Sequence, residues 1–328
     1  LGSDFAMIVG MYTDLIGLAR SNGLITTRDS ETLGVDQALR KAIASGTLVR
    51  LRAGAYVDVD AWRKMSANER HRARVEAVHL KSKSQEHVFT HASAAALWDL
   101  PPIGEWPTAV HVAVAGGGRG RTRPDVHEHV LAEGTEVVRV RGRLATGPAD
   151  TVLAVCTGLP FPHAVAVVDH ALSVSESSPT GLCQRADLVD ALDRFAGRNG
   201  HAAASRAIAF GTDRSGSVGE SVSRALMHQC GFAAPELQRA FYDDDGLIGY
   251  ADFYWPEVAV IGEFDGFGKY VREEFTHGRT AAQVVVAEKK REDRLRALGP
   301  TITRWGWEDT KPDRLARKLR TARIPLAR

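Results

Sequence analysis

Residues 251–264, ADFYWPEVAVIGEF, narrow the choice of fold more than any other stretch of this chain. Two runs rich in aromatic and β-branched residues flank Pro256-Glu257, a pattern that predicts two antiparallel strands reversing around the proline. The hairpin gathers acids at one end. Asp252 lies near the start of its first strand, and Glu263 and Asp265 lie near the end of its second. Being two apart, Glu263 and Asp265 share a strand face with Ile261, while Phe264 turns to the other side. Such acids are either the solvated rim of an ordinary hairpin or ligands for a hard cation.

The flanking pattern bears on that choice. SVGESVSRALMHQCGF reads as a helix with Val222, Leu226 and Cys230 four apart, and with Glu220 and Arg224 as a separate pair at the same spacing. Asp243 to Gly246 reads as a turn. VVVAEKKREDRLRALG is expected to be a strand edge passing into a charged helix stopped by Gly299. TITRWGW is expected to be a last strand, followed by a basic helix. The order helix, strand, strand, strand, helix, strand, helix is that of restriction-endonuclease-like cores. Phosphodiester hydrolysis calls for a hard cation that activates water and neutralises developing charge, and hard cations take carboxylate oxygens.

The phrases GESVSR, ADFYWPE, GEFDGFGKY, EKKREDRLRALG and TRWGW occur in the order of the Vsr-like, very-short-patch-repair-type PD-(D/E)xK nucleases, which residues 217–310 resemble. The resemblance implies that Asp252 and Glu263 bind Mg²⁺ or Mn²⁺, and that Glu220 supports the site from its helix. Asp265 stands where the common motif has lysine and would be a third metal-site acid. Lys269, or else Lys289 or Lys290, would then supply the missing positive charge. The implied catalytic set is Glu220, Asp252, Glu263, Asp265 and Lys269, with Arg224 and Arg291 holding DNA phosphates.

At the other end, YTDLIGLARSN, LITTRDSETLG and VDQALRKAIASG predict three short helices. Thr27 is the expected cap of the second. In the third, Val35, Leu39, Ala42 and Ile43 would point inward, with Gln37, Arg40, Lys41 and Ser45 outward. The period then switches to two in TLVRLRAGAYVDV, a hairpin turning at Arg52-Ala53-Gly54. Three helices and a basic hairpin form a winged helix-turn-helix, with Gln37, Arg40 and Lys41 for the major groove and Arg50 and Arg52 on the wing. This segment, with GTLVRLRAGAYV and VFTHASAAALWDLPPI, resembles the AbiEi-type antitoxins of type IV toxin–antitoxin systems from residue 12 to about 175. That resemblance implies a transcriptional autorepressor whose nuclease-like domain is inert, as the alternative to an endonuclease.

Between the two lie a basic helix at 67–83, a small-residue helix at 91–103 and a strand entering the glycines at 116–118. No GK[ST] follows these glycines, so a loop near the DNA backbone is expected rather than a phosphate loop. His127 and His129 in HEHV read as solvated, because neither Cys nor a second His pair stands nearby in sequence to complete a zinc site. Two apolar helices split by Pro160 and Pro162 come next, and GTDRSGSVG reads as a hinge.

The expected fold is therefore an α+β winged helix-turn-helix (7–62) and middle region (63–210), followed by an α/β restriction-endonuclease-like domain (217–328) with a mixed central sheet. The 328 residues suffice for two or three domains. Three scattered cysteines argue against a disulfide framework, and no run of eighteen apolar residues occurs. With LGSDFA set aside and Met7 or Met11 as the natural start, the chain reads as soluble, not exported and cytoplasmic. A net charge of +2 names no partner, but basic residues cluster at 63–83 and 289–328. Double-stranded DNA is the expected partner, with no membrane; a cognate toxin and a homodimer are further partners this reading allows.

Overall fold

The computed structural model describes residues 23–80, 87–114, 122–174, 180–266 and 281–327. The chain is a mixed α/β protein that divides into two compact units, Leu1–Val155 and Cys156–Arg328. The sequence suggested breaks after 62 and 210 instead.

In the first unit, β1 (Leu24–Thr26), β2 (Leu48–Arg52) and β3 (Ala55–Asp58) form an antiparallel sheet in the order β1-β3-β2. Helices α1 (Thr27–Thr32) and α2 (Asp36–Ala44) lie between its strands in sequence. The expected hairpin is present, turning through Gly54 at φ +75. The expected cap is one residue early: Thr26, the last residue of β1, accepts from the Asp29 N–H and begins α1. Ile25, Ala38, Leu39, Ala42 and Leu48 make the core here, with Val35 and Tyr56 against it. Ile43, expected inward, is 40% exposed, because the buried stripe of α2 runs through Ala38 instead. The first predicted helix, residues 12–22, lies outside the described residues.

Next come α3 (Val59–Lys64), α4 (Ala67–His79), β4 (Val88–Phe89), α5 (His91–Leu97), β5 (Val110–Ala113), β6 (Val126–His129), β7 (Val137–Val140), β8 (Arg143–Thr146) and α6 (Pro148–Cys156). A capping box between Ser66 and Glu69 starts α4. The five strands order as β6-β5-β4-β8-β7, with β5–β6 and β4–β8 parallel. Val75 and Val78 of α4 and Ala94 and Leu97 of α5 bury against Phe89, Val110, Val112, Val126 and Ala145. Arginines of α4 are spent within the unit. Arg72 binds Asp99, Arg70 donates to the Trp62 carbonyl, and Arg74 lies 4.9 Å over the Trp62 ring.

The second unit contains α7 (Phe161–Leu172), α8 (Arg185–Arg194), α9 (His201–Phe210) and α10 (Val218–Gln229), then β9 (Glu236–Asp243), β10 (Gly246–Trp255) and β11 (Val260–Phe264). Helix α11 (Ala281–Ala297), strand β12 (Thr301–Trp305) and helix α12 (Pro312–Thr321) follow. The sheet order is β12-β11-β10-β9, with only the β11–β12 pair parallel. The element order after residue 217 is the one expected among the described residues, except that residues 284–286, expected as a strand edge, lie inside helix α11. Among the described residues no helix is long and apolar enough to cross a membrane.

The presumed hinge at 211–217 is tied down on both sides. The Thr212 N–H donates to Asp169 Oδ1 at 2.7 Å on α7, and the Gly216 N–H donates to Glu220 Oε2 at 2.8 Å on α10. These bonds join the helices of 161–210 to the sheet unit, and so the division falls near 155.

One side of the sheet is a slab of aromatics. Phe253 stacks on Trp305 at 5.4 Å and on Trp255 at 6.3 Å, and Trp305 Nε1 donates to Ser223 of α10. Helix α10 approaches so closely that a Cβ on Gly219 would overlap the buried Phe264 ring. Gly219→Ala is therefore expected to destabilise this unit by about 1–3 kcal/mol, read as a lower urea midpoint; an unchanged midpoint would refute the close packing.

Candidate functional site

Each strand of the second unit's sheet contributes one polar residue to a row across it. The β9–β10 register runs through Ala251↔Arg239 and Phe253↔Leu237, which places Gln238 against Asp252. Phe253↔Gly262 on the other side places Asp252 beside Glu263, and Glu263 itself pairs with Arg304. Gln238 sits at φ +50, a left-handed conformation that a non-glycine residue adopts at a cost. Its Nε2 lies 2.9 Å from Glu220 Oε2 and 3.5 Å from Asp252 Oδ1, so one amide links the helix acid to the strand acid.

Every acid in this row is held. Glu220, 4% exposed, accepts from the Gly216 N–H, from Gln238 and from the Ser217 hydroxyl at 2.8 Å. Asp252 Oδ2 accepts from the Phe264 N–H at 2.8 Å. Glu263, 6% exposed, takes Arg291 on Oε1 at 2.5 Å and Arg304 on Oε2 at 2.8 Å. Both guanidiniums also reach Glu288 at 2.9 Å, and Arg304 reaches Glu292 at 3.2 Å. Hydrogen bonding to Glu288 leads the causes that raise the Arg291 pKa, against the opposing effect of burial. Burial would raise the Glu288 carboxyl, but hydrogen bonds and charge from Arg291 and Arg304 hold it below the usual range.

Of the residues expected in this site, Glu220, Asp252 and Glu263 are thus brought into one line. Asp265 follows at the end of β11, half-buried, its N–H donating to the Trp305 carbonyl at 2.8 Å. Lys269 lies outside the described residues. Glu220 and Arg224 do not pair as their spacing suggested. Arg224 instead grips the buried Asp169 at 2.9 and 3.0 Å, donates to the Phe210 carbonyl and stacks 4.2 Å over the Phe210 ring. Arg291, also expected on phosphate, is occupied by Glu263 and Glu288.

In the first unit Gln37, Arg40 and Lys41 are exposed on α2, where Arg40 meets Asp36 at 3.2 Å. Arg50 is exposed on β2, whereas Arg52 is half-buried and ion-paired with Asp125 at 3.2 Å. Gly116 to Gly118, Arg119 and Arg121 lie outside the described residues, and Arg123 pairs with Glu128.

The expectation that the HEHV histidines stand alone is overturned. His129 stacks on His91 with ring centroids 3.8 Å apart, and its Nε2 meets His111 Nδ1 at 2.8 Å. One ligand atom from each of His91, His111 and His129 lies within 4.8 Å of the others; among the described residues this is the one group of three or more His, Cys or acidic side chains so arranged. Burial, then the neighbouring His129, pushes His91 down to about 3, and burial followed by the surrounding histidines brings His111 to about 3. His129 is lowered by burial and by His127. The rings are thus neutral near pH 7. Eighteen residues separate His111 from His129, and only the parallel β5–β6 register, with His111 beside His127 and Ala113 beside His129, brings them together. The one local signal was the shared face of His127 and His129.

Fold and site together define a two-unit α/β protein with a buried acid–arginine network at the strand ends of one unit and a histidine cluster in the other. The chain is 31% identical over 233 residues to two uncharacterized proteins of Mycobacterium tuberculosis, MT2308 of strain CDC 1551 and Rv2248 of strain H37Rv, covering 69% of this chain and 78% of each relative. It belongs to the family of these mycobacterial proteins. No family model matches it.

The assignment of Arg224 to packing has a direct consequence. Arg224→Ala leaves Asp169 buried without its counter-charge and should cost about 3–5 kcal/mol of stability, measured by chemical denaturation. A loss below about 1 kcal/mol, the scale of an exposed pair, would contradict this.

Proposed function

We propose that this protein binds double-stranded DNA through its N-terminal unit and hydrolyses DNA phosphodiester bonds at the acid row of its C-terminal unit, using Mg²⁺ or Mn²⁺. The observation that carries the reading is the in-register row Gln238, Asp252, Glu263 and Arg304, with Glu220 joined to it through Gln238. The αβββαβ order around that row supports a restriction-endonuclease-like core. Sheet order β1-β3-β2, with exposed basic residues on α2 and β2, supports a winged helix-turn-helix.

The donors fit a hard cation, being carboxylate oxygens side by side on the adjacent strands β10 and β11. Asp252 and Glu263 would hold the ion, with Asp265 next to them. A bound Mg²⁺ or Mn²⁺ would activate water and offset charge on the phosphorane. Glu220 and Gln238 orient Asp252. Arg291 and Arg304 bring to Glu263 the positive charge that the common motif draws from lysine. A DNA phosphate competes with Glu263 for the Arg291 guanidinium, since arginine binds either oxyanion bidentately. Substrate arrival thus frees one Glu263 oxygen for the cation.

The same arginine contacts favour a second reading. Both oxygens of Glu263 are already engaged, so a unit kept for its shape would leave an antitoxin-type autorepressor, with a toxin protein as its partner. Nicking of plasmid DNA in Mg²⁺ or Mn²⁺ separates the two. The nuclease reading expects cleavage that falls at least about 100-fold in Asp252→Ala and Glu263→Ala, the scale of several kcal/mol of metal-assisted stabilisation. Cleavage surviving both substitutions refutes it. The repressor reading expects no cleavage, with specific binding upstream of its own gene that Arg40→Ala abolishes and Asp252→Ala leaves intact.

A further inference from the structure

We infer that His91, His111 and His129 bind a single divalent ion of the zinc class through three imidazole nitrogens, with one coordination position left to water. The donor set selects the ion. Imidazole suits zinc, cobalt, nickel and copper, whereas magnesium and manganese favour the carboxylates of the other unit. Three protein ligands and an open position are the arrangement of zinc sites that stay accessible to a further ligand. All three histidines are half-buried, so an ion can reach them.

Two features indicate a built site. His91 sits at φ +48, and this costly conformation is fixed where β4 gives way to α5 by the Ser93 and Ala94 N–H groups on the Thr90 carbonyl, at 3.1 and 3.2 Å. It places the His91 ring on that of His129.

The second feature is a buried outer shell. Ser93 Oγ accepts from the His111 N–H at 2.8 Å and lies 2.9 Å from Nε2 of the fully buried His71. Thr90 Oγ1 lies 3.2 Å from His91 Nδ1, which leaves His91 Nε2 as the nitrogen turned to an ion. Thr90 is an outer partner that orients the His91 imidazole, and losing such a partner lowers metal affinity about 10–100-fold, whereas Ser93 fixes the backbone of His111. The 2.8 Å contact between His111 Nδ1 and His129 Nε2 is closer than two nitrogens on one tetrahedral ion. At bond lengths of 2.0–2.1 Å such nitrogens stand about 3.3 Å apart, and the three rings lie within 13–27° of parallel, so loading requires the rings to turn until their in-plane lone pairs converge on the ion.

His127 is the internal control. It lies on the same strand face as His129 and 5.1 Å from the His111 ring, but it is not one of the three. The inference shares no residue with the proposed nuclease site, so either can fail alone.

The test titrates the full chain with Co²⁺, followed by Zn²⁺ competition, and records zinc X-ray absorption on the wild type. The expected result is one Co²⁺ per chain with the visible absorption of a four-coordinate ion, displaced by Zn²⁺. His111→Gln and His129→Gln should each weaken binding by more than about tenfold, while His127→Gln and Asp252→Ala retain it. Should a histidine variant fail to fold, the wild-type spectrum decides alone. Three imidazole nitrogens at about 2.0–2.1 Å uphold the site; a first shell dominated by oxygen, or unchanged affinity in His111→Gln, overturns it.

Discussion

A carboxylate buried as deeply as Glu263 is tolerated only when its charge is met at close range, and here two guanidiniums meet it from different elements. Arg304 comes from the parallel neighbour β12 and Arg291 from α11. The same two arginines bind Glu288, and Arg304 adds Glu292, so the network fastens α11 over the strand ends. Below it, Ile261 and Leu295 close the apolar contact between sheet and helix. Take away one arginine and the other must meet the Glu263 charge alone.

Packing on the other side brings the helix acid to the same place. The Phe253–Trp305 stack leaves no room for a side chain at Gly262, where a Cβ would lie 2.6 Å from Trp305 and 3.0 Å from Trp255. Gly219 lets α10 descend onto Phe264. Glu220, the next residue, then falls within reach of Gln238, whose unusual backbone conformation aims its amide between two acids. Two glycines and a strained glutamine account for the acids lying in one line.

Much of this was legible from periodicity and turn chemistry. The hairpin of residues 251–264, its reversal at Pro256, the turn after Asp243 and the wing-like hairpin through Gly54 all follow from local pattern. The arginines were harder to read. A basic residue carries the same letter whether it faces solvent or a buried acid, so Arg224 and Arg291 looked free for phosphate until Asp169 and Glu263 were placed beside them. Val286 suggested a strand, yet Ala281 onward winds into α11, because β propensity yields to tertiary context. The histidine cluster was illegible for the same reason. Its members sit in three separate elements, and the parallel strand pairing that makes His111 and His129 neighbours leaves no local signal.

Both proposed ion sites exploit neighbouring strands, but with opposite chemistry: oxygen donors shielded by arginine in one unit, and imidazoles in the other. The account stands or falls on whether the arginine shield over Glu263 opens. A crystal structure of the full chain with Mn²⁺ and a short DNA duplex, with data collected at the manganese edge, tests this most directly. The account predicts anomalous density between Asp252 and Glu263, with the Arg291 guanidinium turned from Glu263 onto a DNA phosphate. Both arginines still seated on Glu263, with no manganese at Asp252, would contradict it.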